Sequence, residues 1–228
     1  MSKISTVILV HGAWADGSSW CKVIPLLLAK GLSVTAVQLP LTTLADDAAT
    51  VRRAVALMQG PVLLVGHSYG GVVITEAGVD PKVAGLVYIA AFAPKAGESG
   101  GSLLASVPPS PMASEFQPDA EGFVKLSRVG FLSHFASDLP DAEKVPLYTA
   151  QAPTSVKALG GTVSAPAWKA KPSWYLLATE DHAIPPVLQR TMAGAIDART
   201  VEVASGHLAM LSHPHEVVAL ILRAAGND

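Results

Sequence analysis

Short apolar segments rich in β-branched residues alternate with longer segments of helical periodicity over most of this chain. The strand-like segments are STVILV (5–10), SVTAVQL (33–39), VLLVG (62–66), VAGLVYIAA (83–91), SWYLLAT (173–179) and RTVEVA (199–204). Most of them are almost continuously apolar, which is typical of parallel strands covered on both faces. This alternation restricts the chain to a small set of architectures built on a parallel sheet.

The helix-like segments lie between these strands and after the last one. They cover 19–31, 44–58, 69–80, a stretch beginning at Pro186, and 214–226. Gly31 and Gly60 stand where helices are expected to stop. Repeated strand–helix–strand units require crossover connections that pack helices against the sheet. We therefore predict an α/β fold, a mostly parallel β-sheet flanked by helices.

The alternation breaks after Ala93 and resumes near Ser173. Residues 94–171 are rich in Pro, Gly and Ser and contain short amphipathic pieces, such as the one at 121–135. A structureless loop of that length would be unusual in a compact domain. We expect a helical cap insertion over the sheet, about 94–171, within a single domain that spans 1–228.

Composition excludes several classes of partner and location. The net charge is −2 and no basic run occurs, so we expect no nucleic-acid partner. The N-terminal apolar run is too short for a signal peptide, and no segment is long enough to form a membrane helix, so we expect a cytoplasmic protein and no membrane partner. The single cysteine, Cys21, can form no internal disulfide. No phosphate-binding loop, flavin motif or metal-ligand cluster is present, so we expect no cofactor and no metal. The oligomeric state stays open.

A serine between two glycines follows the third strand-like segment. In GHSYGG (66–71) the buried strand, the tight turn and the following helix form the context in which Gly-x-Ser-x-Gly becomes a nucleophile elbow. Gly66 and Gly70 leave room for strand and helix to approach, and the turn exposes the hydroxyl of Ser68. The alternative is an ordinary glycine turn whose serine caps a helix. The strand before it and the helix after it favour a nucleophile.

A serine nucleophile needs a base, which a carboxylate orients. His207 lies between the last strand and the final helix, at the carboxyl edge of the sheet, where ligand and catalytic groups collect. Asp181 and Glu180 follow the preceding strand, and the order Ser68, Asp181, His207 is the one expected of this fold. Asp181, one residue further from the strand, is the preferred acid. The other six histidines are interpreted as capping, surface or packing residues: His11, His67, His134, His182, His213 and His215.

The tetrahedral intermediate of such chemistry also needs an oxyanion hole. The amide of Tyr69, directly after the serine, is one predicted donor. The second is the amide of Ala13, in the loop after the first strand, where Gly12 permits close backbone approach. An ordinary turn is the alternative interpretation of that loop.

These segments together resemble the α/β-hydrolase superfamily over nearly the whole chain. ILVHGAWADGSSW, GHSYGG, YLLATEDHAIPP and SGHLAMLSHP are similar to the branch that contains small bacterial esterases, plant methyl esterases and hydroxynitrile lyases. The resemblance implies Ser68 as nucleophile, His207 as base and Asp181 as acid, with the Ala13 and Tyr69 amides as oxyanion hole. The cap, which sets the substrate, is only loosely similar.

The leading hypothesis is a serine carboxylic-ester hydrolase that acts through an acyl-enzyme on small or medium apolar esters. Apolar cap residues could line its pocket or could only pack the cap onto the sheet: Leu103, Leu104, Phe116, Phe123, Phe131 and Phe135. The alternatives are cyanohydrin cleavage and a non-catalytic ligand receptor. The resemblance implies that lyases carry a lysine after the catalytic histidine and a threonine after the first histidine. Leu208 and Gly12 occupy these positions here, which favours hydrolysis.

Overall fold

A six-stranded, entirely parallel sheet forms the centre of the computed structural model, which describes residues 3–227. Its strands are β1 (Thr6–Val10), β2 (Ser33–Ala36), β3 (Val62–His67), β4 (Val83–Ile89), β8 (Ser173–Ala178) and β9 (Arg199–Val203). They lie in the order β2-β1-β3-β4-β8-β9, and every neighbouring pair is parallel. The predicted fold class is thus confirmed.

The burial of each strand matches how apolar its sequence is. All residues of β1, β3 and β8 are buried, in keeping with their uninterrupted apolar sequences. The edge strands β2 and β9 are partly exposed, and their sequences carry more polar residues. β2 ends at Ala36, three residues before the end of the predicted segment at Leu39.

Helices connect the strands. They are α1 (Ile24–Ala29), α2 (Leu44–Leu57), α3 (Tyr69–Ala77), α7 (Pro186–Ala195), the short α8 (Ala209–Ser212) and α9 (Pro214–Ala225). The segment predicted as one helix over 19–31 is divided into a 3₁₀ turn, Gly17–Trp20, and α1. None of the helices within residues 3–227 combines the length and apolar character needed to cross a bilayer.

The segment expected to form a helical cap is helical only in part. It contains α4 (Gly100–Ala105), a π-helix (Gly130–Phe135), α5 (Asp141–Ala150) and α6 (Val156–Leu159). It also contains a small antiparallel sheet of β5 (Phe116–Pro118), β6 (Phe123–Leu126) and β7 (Thr154–Ser155). In β6 the buried residues Val124 and Leu126 flank exposed Lys125, so this short stretch follows the period of a strand.

The strand order reverses direction between β1 and β3. The chain passes from β1 to β2 on one side and then crosses to β3 on the other, so the loops after β1 and β3 diverge from adjacent strand ends. In parallel α/β sheets such a point opens a crevice at the carboxyl ends of the strands. Ala13 and Ser68 follow these two strands, and the crevice therefore brings them together.

Candidate active site

Ser68 forms the tip of a strained turn between β3 and α3. Its φ is 54° and its ψ is −122°, a backbone conformation that residues other than glycine rarely adopt. The flanking glycines are required by close approach, since a β-carbon at Gly66 would lie 2.6 Å from the Gly70 oxygen. A β-carbon at Gly70 would lie 2.5 Å from the carbonyl oxygen of Val10. Strand, turn and helix can therefore pack this tightly only around the two glycines.

Hydrogen bonds to the neighbouring strand end hold the Ser68 turn in place. The Ser68 N–H donates to the Ile89 oxygen at 3.3 Å, and the Ser68 carbonyl accepts from Gly71 and Phe92 at 3.0 and 3.1 Å. Ser68 lines a cavity of about 90 Å³. A turn so fully anchored keeps its one free polar group, the hydroxyl, directed at that cavity.

His207 and Asp181 form a buried pair beside the same cavity. The His207 Nδ1–H donates to Asp181 Oδ2 at 2.7 Å, and the two side chains are 1% and 0% exposed. Because an ionised carboxylate can only accept, the proton lies on Nδ1 and leaves Nε2 as an acceptor. His207 and Ser68 both line the cavity, but their side chains are not hydrogen-bonded to each other. Catalytic contacts are often long without substrate.

Every lone-pair direction of the Asp181 carboxylate is used. Oδ1 accepts from the Ala183 and Ile184 amides at 2.7 and 3.0 Å, and Oδ2 accepts from Gln189 Nε2 at 2.8 Å as well as from His207. Glu180 by contrast is exposed, and its backbone N–H donates to the Ser205 oxygen, which joins the two loops. The structure thus brings Asp181 to His207 and leaves Glu180 at the surface.

The two predicted oxyanion donors border the cavity that Ser68 lines. Ala13 and Tyr69 both line the cavity, and within residues 3–227 no acceptor is bonded to either backbone N–H. Gly12 packs directly on the serine, since a β-carbon there would lie 2.7 Å from Ser68 Cβ. Two free amides beside one hydroxyl can stabilise a negative oxygen.

Trp14 forms a wall of this cavity that the sequence did not reveal. It has a φ of 57°, and its backbone N–H donates to Thr154 Oγ1 at 3.1 Å while its Nε1–H donates to the Val124 oxygen at 2.8 Å. Its ring also lines a larger neighbouring cavity of about 480 Å³. The cap therefore fixes the residue that separates the two cavities.

The candidate pocket residues divide between these cavities. Leu104 and Phe116 line the smaller one with Ser68, whereas Phe131 and Phe135 line the larger one. Leu103 is buried in the core, and neither it nor Phe123 contributes to either lining. Four of these six cap residues thus pack the cap or border the second cavity, and two line the cavity beside Ser68.

His67 contacts His207, a role that its sequence position did not reveal. Its Nε2–H donates to the His207 carbonyl oxygen at 2.9 Å, and the two ring centroids are 4.7 Å apart. Burial foremost, and then the neighbouring His207, holds the pKa of His67 well below its usual value. Burial also lowers the pKa of His11, whose Nε2 accepts from the Leu39 N–H at 3.0 Å. Both rings are therefore neutral near pH 7 and act through hydrogen bonds.

A buried carboxylate supports the residue that follows the serine. The Tyr69 hydroxyl donates to Asp47 Oδ2 at 2.7 Å, and Asp47 Oδ1 accepts from the Leu41 N–H at 2.8 Å. Burial raises the pKa of Asp47 and is also the main cause that raises the pKa of Tyr69. This bond fixes the position of the Tyr69 side chain. Within residues 3–227, no three metal-ligating side chains are grouped as a metal site would require.

The fold and the site together define a class of protein. A parallel α/β sheet presents a serine, a histidine paired with an aspartate and two free amides at the carboxyl ends of its strands, the arrangement of enzymes that transfer acyl groups. Comparison with known sequences is consistent with this class. The chain belongs to the alpha/beta hydrolase family, whose profile matches residues 7–220.

The individual relatives include proteins named as hydrolases and one named as a ligand-binding protein. The chain is 33% identical to the alpha/beta hydrolase nvfD of Aspergillus novofumigatus, over 82% of this chain and 80% of that protein. It is 28% identical to Methylesterase 7 of Arabidopsis thaliana, over 96% and 95%. It is 27% identical to Salicylic acid-binding protein 2 of Nicotiana tabacum, over 96% of both chains. These relatives confirm the resemblance inferred from the motifs and support a hydrolase.

Solved structures confirm the fold. The pyrethroid hydrolase of Sphingobium faniae superposes with a TM-score of 0.86 at 24% identity, covering 98% of each chain. Polyneuridine aldehyde esterase superposes with a TM-score of 0.82 at 22% identity, covering 97% of this chain and 99% of that one.

Proposed function

We propose that this protein is a serine carboxylic-ester hydrolase that acts through an acyl-enzyme. The observation that carries the proposal is the buried Asp181–His207 pair, whose histidine lines the same cavity as Ser68. The relatives named as esterases, among them a carbendazim hydrolyzing esterase of Nocardioides that is 32% identical over 50% of this chain, also support it.

The proposed reaction has two balanced halves. His207 Nε2 takes the Ser68 proton while the oxygen attacks the ester carbonyl carbon, and the resulting oxyanion accepts hydrogen bonds from the Ala13 and Tyr69 amides. The intermediate then expels the alcohol, which receives the proton from His207. Water, deprotonated by His207, attacks the acyl-enzyme, and the proton returns to Ser68 as the carboxylic acid leaves. Asp181 holds the tautomer that makes both proton transfers possible.

The proposed substrates are small or medium apolar esters. Apolar side chains dominate the lining of the cavity beside Ser68: Phe92, Leu104, Met112, Phe116, Leu159 and Ile184. The cavity has a volume of about 90 Å³, which favours a short group on the side of the ester that enters it. A charged group placed there would lose its hydration without compensation.

Cyanohydrin cleavage has less support than ester hydrolysis. Leu208, which follows His207, is 2% exposed and carries no charge for a departing cyanide. We expect one preparation to hydrolyse short nitrophenyl esters and to leave mandelonitrile at its spontaneous rate. Faster cleavage of mandelonitrile than of the esters would contradict the proposal, and inactivity on both with retained ligand binding would favour a receptor.

The direct test removes the nucleophile. Ser68→Ala should lower ester hydrolysis by several orders of magnitude, since residual rates in triad enzymes come only from binding and the oxyanion hole. The hydroxyl supports no core contact, so the melting temperature should hold. Ser133→Ala, which removes an exposed cap hydroxyl, is the matched control and should retain full activity. A Ser68→Ala enzyme that kept a tenth of the rate would overturn the mechanism.

A further inference from the structure

The backbone on both sides of His207 is tied down by side chains from distant parts of the chain. His67, at the end of β3, donates its Nε2–H to the His207 carbonyl oxygen at 2.9 Å. From the cap, Asp138 Oδ2 accepts from the Gly206 N–H at 2.7 Å. The Ser205–Gly206 and His207–Leu208 peptide units therefore each have a fixed partner, the first in the cap and the second in the core.

Asp138 reaches this loop from the end of the cap's π-helix. Phe135 of that helix packs on His207 with ring centroids 5.1 Å apart, and Asp138 follows three residues later. Asp138 Oδ1 is shielded from solvent and lacks a hydrogen-bond partner in the described part of the chain. Asp138 is half-buried, and its Oδ2 bond to the Gly206 N–H ties the end of the cap's π-helix to the His207 loop.

Gly206 is the residue that lets Asp138 approach. A β-carbon there would lie 2.6 Å from Asp138 Oδ1 and 2.7 Å from Ser137 Oγ. The φ of Gly206 does not lie in the left-handed region, so glycine is needed here for space and not for backbone conformation. The glycine of the SGH motif is thus explained by the carboxylate that packs against it.

We propose that Asp138 is a positioning residue for His207, acting through the Gly206 N–H, so that the cap sets the orientation of the base. This inference rests on the proposed function, in which His207 moves the proton of Ser68. His207 and Ser68 are not hydrogen-bonded in the free protein, so small rotations of the imidazole decide whether the transfer geometry is reached. A misplacement of about 1 Å can cost about a hundredfold in rate.

The same cap also contributes Met112, Phe116 and Leu159 to the wall of the cavity beside Ser68. A substrate that presses on this wall acts on the segment that carries Asp138. The cap thus contacts the His207 loop through this hydrogen bond as well as through Phe135, and removing the bond should affect turnover more than substrate binding.

The test compares Asp138→Ala, Asp138→Asn and Gly206→Ala, with Asp141→Ala as the matched control. Asp141 is an exposed cap aspartate that forms an ion pair with Lys144. We expect Asp138→Ala and Gly206→Ala to lower kcat about 10- to 100-fold with KM within about threefold, because positioning is lost and the pocket is kept. Asparagine retains an oxygen that can accept from Gly206, so Asp138→Asn should stay within about threefold of the wild type. Acylation and deacylation should slow by the same factor, because His207 acts in both.

Hydrogen exchange at the Gly206 amide gives a readout independent of catalysis. The amide should be protected in the wild type and in Asp138→Asn and should exchange faster in Asp138→Ala, with melting temperatures confirming that each variant is folded. Unchanged exchange or unchanged kcat in Asp138→Ala would overturn the proposal, and so would an Asp138→Asn variant as slow as the alanine variant. A wild type without esterase activity would overturn the proposed function and the positioning role with it, while the exchange data would still report whether the anchor exists.

Discussion

Replacing Asp181 with asparagine tests whether the acid fixes the tautomer of His207. Asp181 Oδ1 accepts two backbone N–H groups, from Ala183 and Ile184. In an asparagine the carbonyl oxygen has to take that position, because an amide nitrogen there would face two donors. The NH₂ group then lies where Oδ2 was, against Gln189 Nε2 and His207 Nδ1.

Gln189 cannot relieve this conflict by turning its amide over. Its Nε2 also donates to the Ile184 oxygen at 2.8 Å, and its Oε1 accepts from the Ala178 N–H at 3.1 Å. The flip would break both bonds in a fully buried site. His207 is therefore the group that gives way, and its proton moves to Nε2, the atom that has to accept the proton of Ser68.

The expected loss for Asp181→Asn is about 10⁴ in kcat, the scale seen when a triad histidine is held in the wrong tautomer. At about 1.4 kcal/mol per tenfold change, this equals about 5 kcal/mol of transition-state stabilisation. The assay is steady-state hydrolysis of a short nitrophenyl ester, with circular dichroism to verify folding. Glu180→Gln is the matched control, since Glu180 is exposed and should lose less than about twofold. An Asp181→Asn enzyme within tenfold of the wild type, or a Glu180→Gln enzyme with the larger defect, would refute the reasoning.

Two further predictions concern packing and pH. Gly12→Ala would place a β-carbon 2.7 Å from Ser68 Cβ and 3.1 Å from His67 Nδ1. We therefore expect kinetics to show about a hundredfold loss of activity and urea unfolding to show a loss of about 1–3 kcal/mol in stability. Wild-type values in both measurements would contradict this packing. The folded state holds the pKa values of His11 and His67 below the ordinary 6.5, so below pH 6.5 the unfolded chain binds protons that the folded chain does not. The free energy of unfolding should therefore fall as the pH drops from 7 to 5.5, by at most about 1.4 kcal/mol per pH unit for each histidine. A urea unfolding midpoint that stays constant over this pH range would argue against buried neutral rings.

Local patterns were enough to predict the central sheet and the contents of the site. Each inner strand is a short run whose apolar side chains need cover on both faces, and each site residue lies in the loop that follows a strand. Because parallel strands all end at one edge of the sheet, Ser68, Asp181 and His207 could be expected to meet from their positions in the sequence alone. The structure brings Ser68 and His207 to one cavity and shows Asp181 bonded to His207, while their catalytic roles stay predictions.

Local patterns were not enough to predict the structure of the cap. Its strands β5 to β7 have only three, four and two residues, too few for a periodicity to be recognised. Which cap residues reach Ser68 depends on how the cap lies over the sheet, and so Phe116 and Phe131 border different cavities although both are aromatic residues of the same segment.

The sequence by itself determined the parallel sheet, the elbow around Ser68 and the loops that carry Asp181 and His207, because those features follow from runs of neighbouring residues. Only the tertiary structure decided what supports them. The bond from His67 to His207 and the bond from Trp14 to Thr154 each join residues 140 positions apart, and Asp138 reaches Gly206 across 68. Such contacts depend on how loops and cap pack in three dimensions, and a single sequence carries no local pattern that records this packing.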